Sequence, residues 1–180
     1  MKKGDYKVVL YLGDRPQFDY LLSLNAPVTF SNNLSEADKL IITECSEQAI
    51  RMIREALLIN IPVLAILDGF KSVVQAFGGR CEDIECAEGK QETAVIDTNA
   101  PIYNGLETVI KICRGKPFGI LETVMPAELD VITRSVNGDI LAVSNLVAPD
   151  RHGNIFALNF YIASELTPCA KTIIKNFLEL

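Results

Sequence analysis

The sequence predicts an α/β fold, a three-layer sandwich around a mostly parallel central sheet with a late antiparallel hairpin. Three observations carry this. The first half holds continuous apolar runs, "YKVVLYL" (6–12), "KLIIT" (39–43) and "IPVLAIL" (61–67), of the kind buried on both faces of a parallel sheet. A helical period separates the last two runs, which makes a βαβ unit whose crossover is expected to be right-handed. The second half changes texture to short β-rich pieces divided by turn signals.

Taken in order, residues 6–12 form the first strand. In "SEQAIRMIREALLIN", Ser46 is placed to cap a helix, and Ile50, Ile53, Leu57 and Leu58 fall at i, i+3, i+7 and i+8 on one face. Residues 71–77 read as a short helix, stopped at Gly78-Gly79 by a left-handed cap. "TAVID", "ETVIKI", "LDVITRS" and "DILAVSN" follow as strands, with Asn137-Gly138 as a two-residue hairpin signal between the last two. The terminal helix has Pro168 in its first turn and Ile173, Ile174, Phe177 and Leu178 on one face. With no repeat, low-complexity tract or linker, residues 1–180 read as a single domain.

Composition excludes several function classes. The chain has 180 residues, 49% of them hydrophobic, and a net charge of -6 with its 17 Lys and Arg scattered; nothing would neutralise a row of phosphates, so nucleic acid is not an expected partner. "MKKGDYKVVLYLGDR" reads as a first strand and not as a signal peptide. No run approaches the roughly 20 apolar residues that span a bilayer. The five cysteines (45, 81, 86, 113 and 169) are odd in number and form no C-x-x-C, which argues against a disulfide framework and a thiolate zinc site and for a reducing cytoplasm. No metal or cofactor is expected.

Ligands in such sheets bind at the carboxyl ends of the strands, here Thr43 to Cys45 and Leu67 to Gly69. Three stretches in order, "IPVLAILDGFKSVVQAFGG", "ELDVITRSVNGDILAVSN" and "FYIASELTPCAKTIIKNFLEL", make the chain resemble a class I glutamine amidotransferase domain over nearly its whole length, in particular the glutaminase subunits of anthranilate and aminodeoxychorismate synthase. The resemblance implies a flavodoxin-like sandwich. It also implies a strained elbow of pattern G-x-C-x-G presenting a thiolate, a histidine that activates it, a carboxylate that orients the histidine, and backbone donors for the oxyanion. The elbow pattern falls on Ala65, Ile66, Leu67, Asp68 and Gly69, so Leu67 holds the nucleophile's place. The F-H-P-E-S signature falls on Phe160, Tyr161, Ile162, Ala163 and Ser164, so Tyr161 replaces the base and Ala163 its orienter. "LIIT" runs through Glu44 and Cys45 straight into the helix at Ser46, without the family's oxyanion loop. The glutamine-holding pair becomes Phe70-Lys71, and the H-S-L stretch falls near Gly115-Lys116-Pro117.

The expectation is therefore a pseudoenzyme with no catalytic residue, acting as a binding, docking or regulatory module on a synthase-type partner or on itself. Two alternatives stay open. One is an enzyme of different chemistry reusing a pocket of Cys45, Asp68, Gly69, Phe70, Lys71 and Tyr161; the other is a glutaminase completed by a partner chain. Residue by residue, Leu67 is expected to complete the core, Asp68 to cap the turn with Lys71 within pairing reach, and Tyr161 to fill the space an imidazole would take. Cys45, at a strand end before a helix N-terminus, is the thiol most open to activation, Cys81 and Cys86 are expected to be structural, and His152 is expected on the surface.

Overall fold

The computed structural model describes residues 7–13, 16, 19, 20, 23, 28–148 and 151–180. Its strands are β1 (Lys7–Leu12), β2 (Val28–Ser31), β3 (Lys39–Ile42), β4 (Val63–Ile66), β5 (Glu82–Asp83), β6 (Gln91–Ile96), β7 (Val109–Arg114), β8 (Phe118–Gly119), β9 (Leu129–Ser135), β10 (Ile140–Ala148), β11 (Arg151–Leu158) and β12 (Phe160–Tyr161). Its α-helices are α1 (Glu47–Leu58), α2 (Asp68–Ala76) and α3 (Ala170–Glu179). One sheet runs β12-β7-β6-β9-β10-β11-β4-β3-β1-β2, while β5 and β8 pair apart from it.

The block β2-β1-β3-β4-β11 is parallel throughout, and its order is the doubly wound, flavodoxin-like one. The apolar runs explain it. Val9, Ile41, Leu64 and Ile66 point to one face, where α3 covers them with Ile173 and Phe177. Leu10, Leu40, Ile42, Val63 and Ala65 point to the other, under α1 and α2. Side chains alternate across a strand, so a strand apolar at every position needs cover on both faces, and three layers follow. Beyond β11 all pairing is antiparallel, through β10, β9, β6, β7 and β12, a longer run than the single hairpin the sequence predicts.

The β9–β10 hairpin turns where Asn137-Gly138 places it. Ser135 and Asp139 close a loop over 136–138, in which Gly138 takes φ 94°, so this is a three-residue loop with glycine at its left-handed position. Gly78 ends α2 at φ 85°, with Gly79 N–H donating to the Val74 carbonyl at 2.9 Å and Gly78 N–H to Gln75 at 3.0 Å, a Schellman arrangement. α3 buries Ile173, Ile174, Phe177 and Leu178 as expected but starts at Ala170, beyond Pro168.

α1 departs from expectation. It buries Ala49, Ile53 and Ala56, whereas Leu57 and Leu58 are 41% and 85% exposed. The buried stripe is turned by about one residue because the alanines let α1 approach its neighbours closely; Arg54 Nε donates to the Ala76 carbonyl at 3.1 Å and ties it to the end of α2. No helix among the described residues is long and apolar enough to cross a membrane.

Candidate functional site

β4 breaks into α2 at Leu67, whose φ of 55° and ψ of -115° are strained for a residue with a Cβ and cost roughly 1–3 kcal/mol. The surroundings impose this conformation. Leu67 N–H donates to the Leu158 carbonyl at 2.8 Å, and the Leu67 carbonyl accepts from Phe70 N–H at 2.9 Å. Two residues on, a Cβ on Gly69 would lie 2.2 Å from the Ile42 carbonyl oxygen, so only glycine lets α2 start this close to β3. The sharp strand-to-helix turn read from the sequence is present, and its helix begins at Asp68, three residues earlier than expected.

The side chains mounted on this turn are apolar or paired. Leu67 is 3% exposed and joins the cluster containing Ile66, Leu158 and Phe160. Asp68 does not cap α2, because Leu67 occupies the N-cap position and makes no side-chain cap. Its carboxylate instead pairs with Lys71 at 3.4 Å and, in close contact, with Lys116. These groups are about a third exposed, so each pair contributes well under about 1 kcal/mol, but together they neutralise the carboxylate. Lys116 is positioned by Asn159, which is fully buried; its amide donates to the Lys116 and Phe118 carbonyls at 3.0 and 2.8 Å and accepts from Lys116 N–H at 3.0 Å. Residues 115–118 therefore abut the elbow.

Phe70 cannot line a pocket with Leu67. It is buried in the opposite core, with its ring 6.1 Å from that of Phe118, and Lys71 Nζ lies 4.1 Å over the same Phe118 ring. Tyr161 packs against the Leu67 cluster and donates its hydroxyl to Glu88 Oε1 at 2.6 Å. Burial first, and then this carboxylate, push the phenol above its ordinary value, so it stays protonated and cannot serve as a base near neutral pH. Ala163 lies in the bend after β12, half-buried.

Four residues, 43–46, connect β3 to α1. Ser46 caps α1 by accepting from Ala49 N–H at 3.1 Å and donates to Glu44 Oε1 at 2.7 Å, while the buried Ser72 hydroxyl donates to the Glu44 carbonyl at 2.9 Å. Cys45 is exposed beside Gln75, 3.9 Å from its Oε1. Burial pushes the Cys81 thiol up to about 12, which makes it inert. Cys86 contacts the Gly115 carbonyl at 3.6 Å, and all five thiols are free. No group of three or more metal-ligating side chains occurs among the described residues.

His152 corrects a second expectation. It is not a surface residue: its side chain is 6% exposed, with Nδ1 2.6 Å from Ser144 Oγ and Nε2 2.9 Å from Asp97 Oδ2. A ring protonated on Nε2 satisfies both partners, accepting from the serine and donating to the carboxylate. Burial raises the Asp97 carboxyl, but the Asn99 N–H and His152 together hold it below its ordinary value. Ser144 is fully buried and closed to substrate. In the β11–β4 register Leu158 is level with Ile66, so His152 lies seven residues down the strand from the elbow, roughly 23 Å at about 3.3 Å per residue.

No protein-family model matches the chain. In sequence it is 26% identical over 121 residues to anthranilate synthase component 2 from Archaeoglobus fulgidus, covering 67% of this chain and 62% of that protein. It is 23% identical over 121 residues to the bifunctional protein TrpGD from Thermotoga maritima, covering 67% of this chain and 20% of that protein. The chain thus spans less than two thirds of the length of these relatives. In structure it matches a glutamine amidotransferase from Thermotoga maritima with a TM-score of 0.72, 11% identity and coverage of 97% and 99%. It matches PurLQS from the same organism with a TM-score of 0.76, 17% identity and coverage of 96% and 98%. The fold is that of the glutamine amidotransferases. Within it the sequence resembles anthranilate synthase component 2, and the turn carrying Leu67 stands at the amidotransferase sheet's carboxyl edge. Sequence reasoning missed Lys116 as the partner of Asp68, and it missed Asp97, Ser144 and Asn159. All four act through contacts more than forty residues apart or between strands whose pairing no local pattern shows; the one available signal was Lys116 in the H-S-L stretch.

Proposed function

We propose that this chain is a single-domain amidotransferase-fold subunit with no glutaminase activity of its own, which works by docking on or regulating a synthase-type partner or a second copy of itself. One observation carries the reading: the elbow keeps its strained backbone while presenting Leu67, and the chain's sole histidine is held at the far end of the sheet. Amide hydrolysis by this fold's chemistry needs a nucleophile and a base in hydrogen-bond contact. Leu67 has no lone pair, and the Tyr161 proton is held on Glu88. Loss of both leaves only binding effects on rate. Docking is supported by the relatives named as a component of anthranilate synthase, and five free thiols fit the reducing cytoplasm.

The test is glutamate and ammonia release from glutamine by purified protein. Wild type is expected to match a heat-killed control, and Leu67→Cys is expected to stay inactive, because a new thiol would still lack its base. Turnover by the wild type would refute the reading.

A further inference from the structure

The starting ends of the parallel strands, opposite the elbow, enclose a cleft of about 670 Å³ lined by Lys7, Lys39 and Arg151 together with Asp38, His152 and Asn154. Lys39 pairs in register with Val9, and Lys7 stands two residues before Val9, so both lysines project from the same face. Lys39 is only 2% exposed. Among the described residues its ammonium makes no hydrogen bond or ion pair; it stands 6.0 Å from the centroid of the Phe177 ring. A buried charge without a carboxylate is costly, and this one faces a cavity.

The neighbouring groups make that cavity selective for an anion. Among the described residues Asp38 is the one acidic side chain in the lining, and its Oδ2 is already bonded to Val8 N–H at 2.8 Å. His152 has both ring nitrogens engaged, by Ser144 and Asp97, and Asn154 is bonded to Asn60 at 3.1 Å. Among the described lining side chains three bases stand against one carboxylate, a balance that favours an anion such as a phosphoryl group. The volume falls in the range of small-molecule sites, so there is room for an organic group beyond the phosphate.

We propose that this cleft binds a phosphoryl dianion, free or as the monoester of a small molecule, with Lys39, Lys7 and Arg151 as its counter-charges. Burial first, and Lys7 second, lower the Lys39 amine to about 8, and a bound dianion would raise it again.

Calorimetric titration with inorganic phosphate, ribose 5-phosphate and AMP, each at ionic strength matched with chloride, tests the proposal. Saturable binding is expected. Lys39→Met, which keeps the side chain's bulk, should weaken it by about tenfold or more, and Arg151→Gln, an exposed change that leaves folding intact, by a smaller factor of about three to ten. Esters that bind more tightly than phosphate identify the organic group as part of the ligand; equal binding identifies free phosphate. Both outcomes support phosphoryl recognition. Absence of saturable binding for all three probes, or unchanged affinity in both variants, would overturn it.

Discussion

The two ends of the same parallel strands combine backbone and side chains in opposite ways. At the carboxyl end the backbone is strained and specialised, and the groups on it are apolar or paired: Leu67 joins the core, Asp68 is matched by Lys71 and Lys116, and the Tyr161 hydroxyl donates to Glu88. At the starting end the backbone is ordinary strand, but Lys39 is buried with no ion pair among the described residues and His152 is sequestered between Ser144 and Asp97. The contrast teaches that the geometry of a strained turn is set by packing and not by the side chain it presents. Gly69 must remain glycine for α2 to lie against β3 whether or not a nucleophile precedes it, so the turn survives as a packing requirement.

The largest effect should come from breaking that requirement. Gly69→Ala puts a methyl group onto the Ile42 carbonyl and is expected to cost about 3–5 kcal/mol, the range of severe steric and strain defects, read from the midpoint of urea unfolding. If the variant were as stable as wild type, the elbow would not be held by packing.

A middle-sized effect is expected from His152→Ala, which leaves the buried Ser144 hydroxyl without its partner and takes one hydrogen bond from Asp97. The loss should be about 2 kcal/mol at neutral pH. Because the folded state holds the Asp97 carboxyl below its ordinary value, its stabilisation is present above the ordinary carboxylate range and is lost as pH falls through the folded value. The variant should therefore lose less stability than wild type on acidification, measured by denaturant titration across pH 2–5.

The smallest effect concerns Lys39, whose amine is likewise held below its ordinary value in the folded state. Its folded value of about 8 lies below the ordinary lysine value of 10.5, so between these limits the unfolded chain binds more protons and stability rises with pH. Comparing wild type with Lys39→Met cancels the other titrating groups. Wild type should gain about 1–2 kcal/mol on the variant between pH 8 and 10, and parallel stability profiles would show that the lysine is solvated after all.

The parts of the molecule that were legible in the sequence are those fixed by neighbours along the chain. Runs apolar at every position announced β1, β3 and β4, Asn137-Gly138 announced the hairpin, and "AILDG" announced the elbow. The face of α1 was misread because periodicity counts leucines, while close approach to a neighbouring helix selects alanines. Asp97 and His152 stand 55 residues apart, and Lys39 and Phe177 belong to opposite ends of the chain; such pairs exist only once the strand order is known. Lys39 looked like the polar residue that opens a strand, since nothing local tells a solvated lysine from one closed in by a later helix.

The confinement of the chain's single histidine has a practical consequence. With one His and no Trp in 180 residues, the imidazole is a spectroscopic label already installed in the wall of the distal cleft. Its Nε2 proton, held on Asp97 and shielded from water, should exchange slowly with solvent and give one isolated downfield resonance. Occupancy of the cleft and opening of that end of the sheet can then be followed on a single peak, without introducing a probe.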